Sequence, residues 1–162
     1  MRLCFNIALP EDNLQVIGGA PLSSRSLKGY VGRELNRFFP VILCLETLCQ
    51  INEWHHKQHK LPILYRSGVR YEAEPPGQEE WLDIITLLRK QKGDCEDIAC
   101  ARVAEIRHHL KIAAVPAIRW KNFQTGFNKI VTLVHVLVLW PDGKIEDPSK
   151  VLGMGGEFNC DQ

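Results

Sequence analysis

Three residue types far apart in this chain have the chemistry of acyl transfer: a cysteine at a helix start, a histidine within an apolar strand and an aspartate just past a turn. Gly93-Asp94-Cys95-Glu96-Asp97 directly precedes Ala99, Val103, Ile106 and Leu110, whose spacing of four, three and four predicts a helical stripe ending before Pro116. Asp94 suits the N-cap, Asp97 is placed to answer it in a capping box, and Gly93 frees the backbone for a sharp approach. Cys95 then occupies the first helical position, where unpaired N–H groups and the positive end of the helix dipole favour a thiolate. The Cys95 backbone N–H is also a donor for an oxyanion. Asp94, Glu96 and Asp97 oppose a thiolate, so the nucleophile needs a basic partner.

His135 supplies the base. It lies among Leu133, Val134, Val136 and Leu137, where a polar ring is costly unless it is hydrogen-bonded. Trp140-Pro141-Asp142-Gly143 fits a type I turn with a left-handed glycine, the three-residue hairpin loop with a bulge. Trp140 and Lys144 then flank the loop, and Asp147 falls opposite Leu137 on the face shared by His135, Leu137 and Leu139. His135 and Asp147 become diagonal neighbours about 7–8 Å apart in backbone, within reach of a side-chain hydrogen bond. A two-residue loop would put Asp147 on the wrong face.

The elements that must position these residues follow from punctuation and periodicity. Residues 1–32, with Gly18-Gly19, Pro21 and Ser23-Ser24-Arg25-Ser26, read as an irregular arm with one short strand around 15–17. An amphipathic helix is expected from Val41, with Pro40 at its first turn. Residues 60–77 form a connector in which 63–71 is extended, and a second helix is expected over 78–90. After the Cys95 helix come a strand over 114–120, a loop over 121–128, a strand over 130–140 and a short strand over 144–147. The expected class is α+β, with helices packed on an antiparallel sheet. One domain is expected: a 1–60 arm and helix, a 61–154 core that carries the chemistry, and a loose 155–162 tail.

Composition is that of an ordinary globular protein. The 162 residues hold 20 Lys plus Arg against 19 Asp plus Glu and are 45% hydrophobic, so a core is attainable without staples. A formal charge of +1 gives no electrostatic case for nucleic acid or an acidic membrane. The six cysteines, at 4, 44, 49, 95, 100 and 160, read as reduced, and the N-terminal residues lack the apolar run of an export signal. The expected compartment is the cytosol, with Cys100 a packing residue.

Taken together, Gly-Asp-Cys-Glu-Asp at a helix start, Val134-His135-Val136-Leu137-Val138 in a strand and Pro141-Asp142-Gly143 leading to Glu146-Asp147-Pro148 resemble the transglutaminase-like superfamily, nearest to its bacterial and phage cysteine proteinases. The resemblance covers about residues 62–154, with Gln78-Glu79-Glu80-Trp81 and Leu61-Pro62-Ile63-Leu64-Tyr65 as further matches. It implies a papain-like, transglutaminase-like core in which Cys95 is nucleophile, His135 general base and acid, and Asp147 orienter. Protein or peptide would be the substrate. Hydrolysis would make the chain a peptidase, and an amine acceptor a protein-glutamine transglutaminase or, with water on glutamine, a deamidase. In some secreted bacterial members acidic residues beside the nucleophile help bind calcium, and Asp94 and Glu96 match those positions. A non-catalytic assembly module, for example in a phage particle with a virion partner, is the competing class.

Other features have plainer readings. Trp81, Trp120 and Phe123 are candidates to line a substrate groove, or else to fill the core or its rim. His55, His56 and His59 with Cys44 and Cys49 suggest zinc, but only His55 and His59 share a helical face, so no metal site is assigned. Arg102, Arg107, His108, His109 and Lys111 read as a solvated helix end.

Overall fold

A computed structural model describes residues 2–3, 16–17, 31–75, 78–125 and 129–155, with side chains described over 40–75, 78–120 and 133–155. The elements in order are β1 (Arg2–Leu3), β2 (Val16–Ile17), α1 (Val31–Gln58), a 3-10 turn (Leu64–Arg66), β3 (Arg70–Tyr71), β4 (Trp81–Leu82), α2 (Ile84–Lys90) and β5 (Lys92–Gly93). Then follow α3 (Cys95–Glu105), a π-helical turn (Ile106–Leu110), β6 (Val115–Thr125), β7 (Lys129–Leu139), β8 (Ile145–Glu146) and α4 (Pro148–Val151). The fold mixes helix and sheet. The main sheet has the order β2-β6-β7-β8 with antiparallel neighbours throughout, while β1 pairs with β4 and β3 runs parallel to β5. Among the described residues no helix is long and apolar enough to cross a membrane.

The core lies between α1, α3 and one face of the main sheet. Val41, Leu45, Leu48, Cys49, Asn52 and His56 form the buried stripe of α1, at helical steps. Ala99, Cys100, Val103 and Ile106 answer from α3 and its π turn, and Val136 and Val138 from β7. Val115, Ala117, Leu137 and Leu139 form a separate apolar cluster. The two sets on β7 differ by one residue, as strand alternation requires.

Several boundaries differ from the periodicity. α1 begins at Val31, so Pro40 lies inside the helix; it forgoes one backbone bond there, while the stripe beyond it packs on α3. The second helix starts at Ile84, six residues later than its composition suggests. Asp83 caps it by accepting from the Thr86 N–H at 2.8 Å. Long-range partners hold the preceding segment extended: Asp97 Oδ1 takes the Leu82 N–H at 2.6 Å and Asn52 Oδ1 the Ile84 N–H at 2.7 Å. The expected loop over 121–128 is strand as far as Thr125, because β6 pairs with β7 in unbroken register from Val115↔Leu139 to Thr125↔Lys129; residues 126–128 and 156–162 lie outside the described set. The extended 63–71 segment is instead the 3-10 turn followed by β3. The last short strand stops at Glu146, since Asp147 caps α4.

Glu146 ties the C-terminal hairpin to the Cys95 helix. Its carboxylate accepts from Arg102 Nε at 2.7 Å, from Trp140 Nε1 at 3.0 Å and from the Tyr65 hydroxyl. Arg102 also pairs with Glu105, whose Oε2 accepts the Leu64 N–H at 2.6 Å. Burial raises the Glu146 carboxyl, but the Arg102 and Tyr65 hydrogen bonds outweigh it and hold the group below its ordinary value. A carboxyl depressed on folding stabilises above its unfolded pKa and loses that contribution as pH falls. Glu146→Gln should therefore be less stable than the wild type near neutrality, with the difference shrinking below about pH 4.5 in urea unfolding. Gly93 is equally constrained: an added Cβ would lie 2.5 Å from Leu87 Cδ1 and 2.9 Å from Asp97 Oδ2, both fully buried side chains. Gly93→Ala should cost about 1–3 kcal/mol in the same assay.

Candidate active site

The N-terminus of α3 is built as its residue types require. Asp94 is the N-cap and Cys95 the first helical residue, and the Asp94/Asp97 capping box is formed, with Asp97 Oδ2 accepting the Asp94 N–H at 3.4 Å. Asp97 is fully buried and fixes two segments at once, since its other oxygen holds Leu82.

The hairpin bearing the other two residues has the predicted register. Gly143 adopts φ +87, the Gly143 N–H reaches the Trp140 carbonyl at 3.0 Å, and the Trp140 N–H reaches the Lys144 carbonyl at 2.8 Å. Val138 faces Glu146 and Leu139 faces Ile145, so Asp147 follows on the side of His135. His135 Nε2 and Asp147 Oδ2 are 3.0 Å apart. The imidazole is 2% exposed, and the second Asp147 oxygen accepts the Lys150 N–H at 3.2 Å, so one carboxylate both orients the ring and caps α4. Burial raises the Asp147 carboxyl, yet His135 and the Lys150 N–H together hold it below its ordinary value, keeping it ionised near neutrality.

Cys95 reaches the same stretch of β7 from the edge. The Trp140 N–H points toward β8, so the even-numbered backbone groups of β7 point that way too. Beyond Glu146 the chain turns into α4, which leaves Val134 and Val136 without a strand partner on that side. The Cys95 sulfur fills this gap, 4.0 Å from the Val134 carbonyl and within reach of the Val136 N–H. It thus sits against the backbone on both sides of His135. The thiol itself donates to Glu96 Oε2 at 3.3 Å rather than to the imidazole. The structure therefore joins His135 and Asp147 directly and sets the Cys95 sulfur against the β7 backbone at Val134 and Val136.

The electrostatics favour a neutral thiol. Burial, then the charges of Glu96 and Asp94, push Cys95 well above its ordinary value, against the opposing Val136 N–H. Burial also raises Asp94 and Glu96, which share a side-chain hydrogen bond, as well as Asp97. Beside this turn opens a cavity of about 170 Å³ whose lining includes Glu74, Glu80, Lys90, Asp94 and Asp97.

Sequence reasoning missed three contributors. Tyr71, registered beside Gly93 in the β3–β5 pair, packs on the Cys95 cluster, and its phenol is pushed up to about 12 by burial and then by Cys95, Asp94, Glu96 and Asp147. The Val136 N–H is the second. The third is the pair Glu74 and Glu79, whose carboxylates converge with that of Asp94 to within 4.8 Å. Nothing in local spacing marks any of these. Trp81 and Trp120 are core residues packed in the same cluster as Cys95, and the Phe123 side chain lies outside the described set. The four described cysteines, at 44, 49, 95 and 100, are free thiols; Cys4 and Cys160 lie outside the described residues.

No protein-family profile matches the chain, and neither the curated proteins nor the solved structures contain a detectable relative. The site therefore has to be judged on its geometry. If His135 serves the thiol, alkylation of Cys95 by iodoacetamide should already proceed at neutral pH in the wild type. In His135→Ala it should fall at least about tenfold there and rise only above about pH 8.5, as expected of a thiol raised by burial and acidic neighbours. Mass spectrometry of the Cys95 peptide reads both rates.

Proposed function

We propose that this chain is a cysteine-dependent amide acyl-transfer enzyme, most simply a cytosolic peptidase, with a papain-like, transglutaminase-like core and Cys95, His135 and Asp147 as its triad. The observation that carries the reading is the His135–Asp147 hydrogen bond of 3.0 Å on a hairpin whose exposed backbone edge receives the Cys95 sulfur. His135, oriented by Asp147, takes the thiol proton once Cys95 turns from Glu96. The thiolate adds to an amide carbonyl of a protein or peptide, and the oxyanion meets the Cys95 N–H. His135 then protonates the departing amine, the C–N bond breaks and a thioester remains. Water, deprotonated by His135, releases the acid and restores the thiol. An amine in place of water gives transamidation, and a glutamine carboxamide with water gives deamidation.

The residues beside the nucleophile also suit calcium. Asp94 Oδ1 is buried and has no hydrogen-bond partner among the described residues, and Glu74 and Glu79 add carboxylate oxygens at ligating separation, a hard donor set matched to that ion. Glu96 is engaged by Cys95 and Asp94. Bound calcium would supply positive charge against the carboxylates that oppose the thiolate. Millimolar calcium should raise the melting temperature of the wild type by a few degrees and leave Glu74→Gln/Glu79→Gln unmoved; an equal response in both would refute these ligands.

One observation favours the non-catalytic alternative of an assembly module, virion-associated or otherwise: the resting thiol is 9% exposed and bonded to an acid. Incubation with denatured casein, scored for new peptide termini, for ammonia and for incorporation of a fluorescent amine, separates the readings. Cleavage lost in Cys95→Ala and cut at least about 100-fold in His135→Ala supports the peptidase. Amine incorporation or ammonia release without cleavage moves the assignment to transglutaminase or deamidase. No product in any channel, with Cys95 labelled no faster than the half-exposed Cys44, leaves the triad as a polar core network.

A further inference from the structure

The end of α3 opposite Cys95 gathers histidines that local spacing keeps apart. His56, on the buried stripe of α1, stacks with His108 of the π turn at a centroid separation of 5.5 Å and meets His109 edge-on at 5.3 Å. His108 and His109 are 4.7 Å apart, also edge-on. The three rings make a nearly equilateral triangle. The wider π turn separates successive side chains by a smaller angle than an α-helix does, so both neighbours in sequence reach the same partner. Of the residues expected as a solvated helix end, His109 and Lys111 are exposed, whereas Arg107 is engaged in a two-pronged pair with Glu46 on α1, at 2.7 and 2.9 Å, and His56, which the two histidines meet, is 5% exposed.

The cluster is unsatisfied as a hydrogen-bonding unit. His56 Nε2 and His108 Nδ1 are both buried and lack a partner among the described residues. Buried ring nitrogens are ordinarily paired, and each one left bare is a cost that calls for a reason. We propose that His56, His108 and His109 bind one divalent transition-metal ion of the zinc class, clasping α1 to the distal end of the helix that carries Cys95.

The dimensions suit such an ion. Three imidazoles bound through one nitrogen each to a tetrahedral centre, with metal–nitrogen bonds of about 2.0–2.1 Å, have centroids roughly 5 Å apart. The observed 4.7, 5.3 and 5.5 Å bracket that value; the ring nitrogens do not converge in the resting arrangement, and binding turns the rings about their side-chain bonds to bring them together. Imidazole selects zinc, nickel or copper over calcium and magnesium. Glu53, one turn before His56 on α1, pairs with Lys57 at 3.2 Å and would have to leave it to become the fourth ligand; otherwise water completes the tetrahedron. The spacing-based zinc set is not the one assembled: His55 faces Asp83 at 3.7 Å and stacks on His59, while the Cys49 and Cys100 thiols are hydrogen-bonded to each other.

This site is independent of any catalytic role for Cys95. The test uses full-length protein without a polyhistidine tag, stripped by a chelator and titrated with zinc against a chromophoric competitor near neutral pH, with melting followed in parallel. The expected result is one equivalent bound with a melting temperature that saturates at that ratio, and a cobalt derivative with the visible absorption of a tetrahedral nitrogen-rich site. Exposed His109→Gln, which should fold normally, weakens zinc by at least about tenfold, His56→Gln more so, and Cys95→Ser leaves binding intact. Calcium leaves the signal unchanged. Absence of stoichiometric zinc binding by the wild type overturns the proposal, as does binding that survives in both histidine variants or disappears in Cys95→Ser.

Discussion

The seating of the first turn of α3 against the unpaired edge of β7 is the contact on which the rest of the arrangement depends. An exposed run of strand N–H and C=O groups must find partners, and a helix N-terminus has the same need. Here one junction serves both. Asp97 and Asp94 satisfy the helix start, while the Cys95 sulfur covers the backbone of Val134 and Val136. β8 has to stop at Glu146 for that edge to open, and it does so because Asp147 caps the short helix that follows.

From that junction two supports spread. Asp97 carries the constraint outward to Leu82, and through Asp83 and Asn52 to the start of α2 and to α1. Glu146 carries it the other way, through Arg102 to the middle of α3 and through Tyr65 to the 3-10 turn. The hairpin that leads to Asp147 and the helix bearing Cys95 are therefore joined by a charge-assisted bond one residue from the carboxylate that meets His135. Networks of this kind, fully satisfied, specify a unique arrangement more than they add stability.

The acidic surroundings of Cys95 place stability and reactivity in tension. Asp94, Glu96 and Asp97 make a well-capped helix start, yet their charges disfavour the thiolate that acyl transfer needs. Glu96 holds the thiol as a neutral donor in the resting arrangement. Any activity must relieve that charge, through an imidazolium at His135 or through a cation at the carboxylates. The two histidine-bearing regions differ in kind: His135 has an anionic partner, whereas the buried nitrogens of His56 and His108 face other imidazoles.

Local chemistry was decisive wherever the relevant partner lay within a few residues. The N-cap at Asp94, the position of Cys95, the three-residue turn closed by Gly143 and the shared face of His135 and Asp147 are all matters of helix capping or hairpin register, and each is legible from residue types alone. The same reasoning failed where a distant group supplied the missing bond. The second helix starts late because Asp97 takes the Leu82 N–H and Asp83 caps Ile84–Lys90, 121–125 is strand because β7 offers a partner along its whole length, and α1 runs through Pro40. Tertiary packing alone set the Cys95 sulfur against the Val134 carbonyl, brought Glu74 and Glu79 to Asp94, and set His108 and His109 against His56. A sequence encodes periods of two and 3.6 residues directly. Which faces then meet is settled by burial of the whole, and that is where the unpaired nitrogens, the crowded carboxylates and the covered strand edge arise.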